Sequence, residues 1–245
     1  MLRPLTVDIC RKGQYSLTLK SSLRPRAMTI ALGMVCSDGI VLAADRQLTL
    51  TDGHKYQEQK IFPIDGGDWK AVLTYAGDPG FVREVQQKLV SNLNREEIKV
   101  DCRATRDALE EILNGLGRQH GDVGTDLLVA AYAPHEQPQL WKFNGRSIHR
   151  AYGFNCLGVG DSSLISYLST TLYHSGLTIQ QGTRLAVYCV SKANEFIDKC
   201  DGGPDIATLN YEGVIGALGQ TQLAEMCAEM ESVERAAIMQ IVRAG

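Results

Sequence analysis

Short, nearly uninterrupted apolar runs fill the front of the chain, and apolar stripes at helical spacing follow them. Residues 29–36 (TIALGMVC) and 40–44 (IVLAA) flank Ser37, Asp38 and Gly39, which reads as a β-hairpin. Neither run alternates with polar residues, so both faces of that sheet are expected to be covered. Further strands are predicted over 55–64 and 70–75, on either side of the turn at Asp65, Gly66, Gly67 and Asp68. Pro79 behind Asp78 marks a helix start, with Val82, Val85, Leu89 and Val90 on its inner face. A second helix is expected over 103–116, striped by Leu109, Ile112, Leu113 and Leu116 and ending near Gly115 and Gly117. Strands then return over 127–132, 139–143 and 147–152. Helices are predicted over 162–173 and 179–197, separated at Ser175 and Gly176, and a strand over 205–209. A last helix over 221–242 lines up Leu223, Met226, Met230, Val233, Ala237 and Ile241.

Blocks of strands alternating with pairs of helices argue for stacked layers rather than a βαβ parallel sheet. Two sheets face to face with helix pairs outside would explain why the strands are apolar on both sides. The 245 residues, 44% hydrophobic, suffice for one well-buried domain. A net charge of −3 provides no field that would draw nucleic acid or an anionic membrane. Seven cysteines, odd in number and without a C-x-x-C pair, suit free thiols in a reducing compartment, so a cytoplasmic protein is expected. No apolar run approaches the ~20 residues of a membrane span. Residues 1–28 differ from the rest: Arg3, Arg11, Lys12, Lys20, Arg24 and Arg26 face one acid, Asp8. They read as an N-terminal extension, a propeptide, or sequence upstream of a misassigned start, with the domain proper at 29–245. A start at Met28 would leave Thr29 first after methionine removal.

Candidate chemistry gathers early. Thr29 opens a strand, Asp45 closes the hairpin's second strand, Lys60 lies in QEQKIFPI, and Gly77 ends a strand in TYAGDPG. Taken singly, each has a plain structural explanation: a β-former, a turn acid, a solvated lysine, a turn glycine. His54, His120, His135, His149 and His174 show no metal-ligand spacing. Cys36 and Cys200 read as buried inert thiols rather than nucleophiles, and Gly158 with Gly160 is too short a motif for phosphate.

Taken together, MTIALGMVCSDGIVLAADRQLT, the lysine strand and the Ala76-Gly77 pair resemble the start of proteasome β subunits and their bacterial relatives, which are N-terminal-nucleophile hydrolases. The resemblance implies an α+β fold, a four-layer αββα sandwich. It implies that Thr29 is the nucleophile and its own α-amine the base, with Lys60 and Asp45 tuning it and the Gly77 N–H holding the oxyanion. A threonine hydroxyl needs such a base, and a free α-amine, with a pKa of about 7.7–8.0, serves near neutral pH. Asp198 matches a family aspartate. By the same analogy Thr49 and Gly77 line the edge where an extended peptide adds as a strand, and Leu48, Tyr75 and Pro79 shape the side-chain pocket. The chain departs from the family at Val159 and Asp201, which stand where serines are usual; extra negative charge from Asp201 is expected to raise the amine pKa. Further implications are a threonine-type endopeptidase without metal or cofactor and a homo-oligomeric ring, single or double. Unfolded polypeptide is the implied substrate and an ATPase unfoldase the implied partner. The competing reading is a non-catalytic, α-type ring subunit, which an internal Thr29 and the α-like QKIFPID favour. A small-amide hydrolase of the same fold ranks last, because such enzymes mostly use Cys or Ser and lack this lysine.

Overall fold

The computed structural model describes residues 29–49, 54–94, 101–121, 124–145, 147–158, 163–197 and 200–243. The apolar front runs form strands β1 (Ile30–Cys36) and β2 (Gly39–Asp45), paired antiparallel around Ser37 and Asp38. A two-stranded ribbon follows, β3 (Gln47–Thr49) with β4 (Lys55–Gln57). Next come β5 (Ile61–Gly66) and β6 (Trp69–Ala76), then helices α1 (Pro79–Leu93) and α2 (Cys102–His120). Strands β7 (Asp126–Tyr132), β8 (Gln139–Phe143), β9 (Ile148–Ala151) and β10 (Phe154–Gly158) lead to helices α3 (Ser163–Leu172) and α4 (Ile179–Phe196). The chain ends in β11 (Pro204–Asn210), β12 (Ile215–Ala217) and helix α5 (Gln220–Arg243).

One five-stranded sheet has the order β10-β1-β2-β11-β12 and the other β5-β6-β7-β8-β9. The continuous apolar strands serve two cores at once, because successive side chains point to opposite faces. From β1 and β2, Ile30, Leu32, Met34, Val41 and Ala43 pack under α3 and α4, while Ala31, Ile40, Leu42 and Ala44 face the other sheet. From β6 and β7, Leu73, Tyr75, Leu127 and Val129 pack under α1 and α2, while Val72, Leu128 and Ala130 face inward. The fold is thus a four-layer αββα sandwich. Each fully buried Leu or Ile in these cores stabilises it by roughly 1.5–3 kcal/mol over exposure. The hairpin turn also seats a helix: Asp38 accepts from the Ile179 N–H at 2.6 Å, and Tyr173 donates its hydroxyl to the Val35 carbonyl at 2.7 Å.

Several elements differ from the sequence expectation. The strand expected over 55–64 is broken at residues 58–60, where the Glu58 N–H turns to the Arg46 carbonyl at 2.9 Å. Helix α2 runs through Gly115 and Gly117, whose Cα atoms face open space, and stops at Gly121 with φ +73°. Strand β10 escaped the reading because its FNCLG pattern mixes polar and apolar residues. The stripe expected on α5 is buried only at its front. Leu223 is 1% exposed, whereas Val233 and Ile241 are 64% and 75% exposed. Ion pairs of Glu229 with Arg184 and of Glu234 with Lys192 hold the middle of α5 to α4. Beyond them the apolar side chains line an open groove of about 580 Å³. Among the described residues, no helix is long and apolar enough to cross a membrane.

Candidate active site

The β1–β2 register brings the start of the chain's first strand beside the end of its second, with Ala31 opposite Ala44. Asp45 therefore meets the Ile30 N–H, which donates to its Oδ1 at 3.0 Å, and the Gln47 N–H donates to Oδ2 at 3.2 Å. The break before β5 frees Lys60 to reach across from the second sheet. Its ammonium has three donors and no acceptor. All three are used: Thr29 Oγ1 at 3.0 Å, Asp45 Oδ1 at 2.8 Å and the Gln47 carbonyl. Asp45 and Lys60 are 0% exposed and Thr29 is 4% exposed.

Burial pushes the Lys60 ammonium below the ordinary lysine value, and the adjacent Asp45 opposes that shift. Burial likewise pushes the Asp45 carboxyl up, against the pull of Lys60 and of the Ile30 and Gln47 N–H groups. The arrangement has a definite chemical consequence for Thr29. A cation donates to its Oγ, which leaves the hydroxyl proton available to a base and favours the developing alkoxide.

The remaining sequence candidates occupy flanking elements. Leu48 is buried on β3, and Thr49 accepts from the Gln47 side-chain amide at 3.4 Å. Tyr75 is fully buried in the core under α1, 5.9 Å from the Phe62 ring; burial pushes its phenol up, and its hydroxyl has no partner among the described residues. Pro79 is the first residue of α1, behind the N-cap Asp78, which accepts from the Gly80 N–H at 2.7 Å. Gly77 follows β6, where the pairing of Ile61 with Thr74 runs the chain past Ala76 alongside the segment entering at Lys60. It has φ +137°, and a Cβ there would lie 2.5 Å from Thr125 Oγ1 and 2.7 Å from its Cα. Only glycine fits this position. Gly77→Ala is accordingly expected to destabilise the protein by about 1–3 kcal/mol, read as a lowered midpoint in thermal unfolding.

Asp198, Val159 and Gly160 lie outside the described residues. Asp201 is exposed, and its carboxylate accepts from the Gly202 N–H at 2.7 Å. One feature of the site carried no sequence signal, and one matches its reading as a buried thiol. The Gln47 carbonyl is a backbone acceptor, indifferent to residue type. Cys200, 3% exposed, lies close enough to Asp45 and Lys60 to feel both charges, and burial pushes its thiol up to about 12, so it stays neutral. Among the described residues, no group of three or more His, Cys, Asp or Glu is placed to hold a metal ion.

With this geometry in view, the family model described as proteasome subunit matches residues 27–208. The chain belongs to the proteasome subunit family. Its relatives there include both subunit types. A proteasome subunit alpha of Methanocaldococcus jannaschii is 28% identical over 179 residues, covering 70% of this chain and 66% of that protein. A proteasome subunit beta of Methanococcus maripaludis is 24% identical over 190 residues, covering 76% and 85%. Among solved structures, Anbu (ancestral beta-subunit) from Yersinia bercovieri superposes with a TM-score of 0.73 at 12% identity, over 86% of this chain and 96% of that one. The helical assembly of the Anbu complex from Pseudomonas aeruginosa gives 0.66 at 14% identity, over the same shares. At these identities the structural likeness establishes the fold alone.

Proposed function

We propose that this proteasome-family subunit is a threonine-type endopeptidase whose nucleophile is Thr29, active when Thr29 is the first residue of the mature chain. The observation that carries the reading is the Lys60 ammonium, which donates to Thr29 Oγ1 while Asp45 and the Gln47 carbonyl hold its other two protons. A threonine placed only to form a strand needs no buried cation at its hydroxyl, and burying one is costly.

In this mechanism the Thr29 α-amine takes the hydroxyl proton, Oγ attacks the peptide carbonyl, and the Gly77 N–H receives the oxyanion. The amine then returns the proton to the leaving nitrogen, and water hydrolyses the ester. Asp198 supports the amine. The substrate is an extended, unfolded polypeptide that adds as a strand along Thr49 and Gly77, with Leu48 and Pro79 shaping its side-chain pocket. Residues 29–245 form the working domain, and residues 1–28 are removed from it or never made. The subunits close into a cytoplasmic homo-oligomeric ring that secludes the sites, supplied by an ATPase unfoldase. The assembled Anbu complex supports self-association.

The test treats the protein from its native host with a β-lactone, then maps the adduct by peptide mass and sequences the N-terminus. A chain that begins at Thr29 and carries the acyl group on that residue supports the peptidase. The second reading, a structural ring subunit, draws on the match to an alpha subunit; a chain that keeps residues upstream of Thr29 and takes no label establishes it.

A further inference from the structure

We propose that Thr125 is a positioning residue that fixes the orientation of the Gly77 N–H, the donor assigned to the oxyanion. The inference deepens the peptidase reading and rests on its assignment of Gly77. Two consecutive residues, Thr125 and Asp126, hold Gly77 from both sides. Before it, β6 ends in a ladder pair that sets Ala76 opposite Asp126, the first residue of β7. After it, the Asp78 N–H donates to Thr125 Oγ1 at 2.9 Å. The peptide planes on either side of Gly77 are thus set by one short stretch of neighbouring chain, and the second of them is set by a side chain.

Gly77 needs such a hold. Its φ of +137° lies where other residues are strained, and glycine has more backbone freedom to lose than any other residue. A donor that swings gives up the pre-organisation on which oxyanion stabilisation depends. Thr125 is also the wall against which Gly77 is pressed: a Cβ on the glycine would lie within 2.9 Å of the threonine Oγ1, Cα and Cβ alike. Asp78 passes the anchorage on to α1, because its carboxylate accepts from the Gly80 N–H. Filling the core would not require a hydroxyl here. Thr125 is 1% exposed and leads into the buried apolar run of β7, where valine would occupy the same space. A buried hydroxyl is kept where it has a partner, and the β-branch stiffens χ1 so that this one stays aimed at the Asp78 N–H. The same burial keeps Thr125 off the substrate, so its influence on the reaction runs through Gly77.

The test compares Thr125→Val, Thr125→Ala and Thr125→Ser, each produced in the native host and purified as the mature protein. Steady-state kinetics on a fluorogenic peptide, inhibition by a peptide boronate and crystal structures are read together. The tetrahedral boronate adduct on Thr29 Oγ1 carries an oxygen where the oxyanion forms. Losing an oxyanion donor outright costs about 10²–10³-fold in kcat, and misaiming it costs part of that. Thr125→Val is therefore expected to lower kcat by about 10- to 100-fold, to leave KM nearly unchanged, and to weaken the boronate by the same factor as kcat. Thr125→Ser keeps the acceptor and is expected to retain most of the rate. Where Thr125→Val does not fold, Thr125→Ala removes the same hydroxyl without adding a methyl and carries the comparison with Thr125→Ser. Folded Val or Ala variants with unsubstituted kcat and boronate affinity overturn the proposal. A loss confined to KM overturns it too, because Thr125 would then be a substrate contact. Should the unsubstituted protein neither turn over peptide nor take the boronate, the peptidase reading fails. The crystal structures then decide alone, and a Gly77–Asp78 peptide that stays in place without the Thr125 hydroxyl overturns the holding role.

Discussion

A chain that begins at Thr29 is expected to hydrolyse fluorogenic peptide amides, and the same chain with Met28 or anything longer attached is expected to be inactive. The difference is one functional group. Behind a peptide bond the Thr29 nitrogen is an amide with no usable basicity. As a terminal amine its pKa falls near 7.7–8.0, so an appreciable fraction is free to take a proton at neutral pH. General-base catalysis of this kind contributes about 10²–10⁴-fold, and the Lys60 donation to Oγ1 is of no use to a hydroxyl whose proton has nowhere to go. Thr29→Ala in the Thr29-initiated chain removes the nucleophile itself and is expected to cut kcat by on the order of 10⁴-fold or more, to the background of the assay. Active-site titration with the β-lactone gives the count of competent subunits that makes kcat meaningful. Full activity in the Met28-retaining chain, or in Thr29→Ala, would remove Thr29 from the mechanism.

How much of this was legible beforehand depends on what kind of signal each part leaves. Thr29, Asp45 and Lys60 were readable because their identities matter and they sit within or beside strands whose apolar runs are unmistakable. The residues that complete the site act through backbone or through tertiary context. Gln47 contributes a carbonyl that any residue owns. The break at residues 58–60, which lets Lys60 cross between sheets, interrupts a segment whose composition reads as one strand; the tie from Glu58 to Arg46 overrides that local preference. On α5 the periodicity correctly announced a helix and one apolar face. It did not announce how far that face is covered, because coverage depends on what the rest of the fold packs against α5.

Removing the lysine is expected to separate the stability of the site from its chemistry. Lys60→Met leaves Asp45 fully buried, with the Ile30 and Gln47 N–H groups but without its cation. Breaking a buried ion pair from one side typically costs about 3–5 kcal/mol, which in a domain of this size lowers Tm by roughly 6–20 °C. Turnover should vanish together with the donor to Thr29 Oγ1. The pH dependence carries the sign. Burial already raises the Asp45 carboxyl above its ordinary value, and in Lys60→Met the opposing pull of the ammonium is gone. The folded variant then binds a proton at Asp45 more readily than its unfolded chain does, so its stability rises as pH falls through that raised folded value and is lost again above it. Melting curves at about pH 5 and about pH 7.5 should therefore bring the variant closer to the unsubstituted protein at the acidic value. Adding Asp45→Asn to Lys60→Met removes the stranded charge, and most of the lost Tm should return with no peptide hydrolysis. A double variant as unstable as Lys60→Met at neutral pH would mean that the pair holds the sheets together by more than its charge, and that the loss of activity in Lys60→Met reflects a distorted fold rather than a missing proton donor.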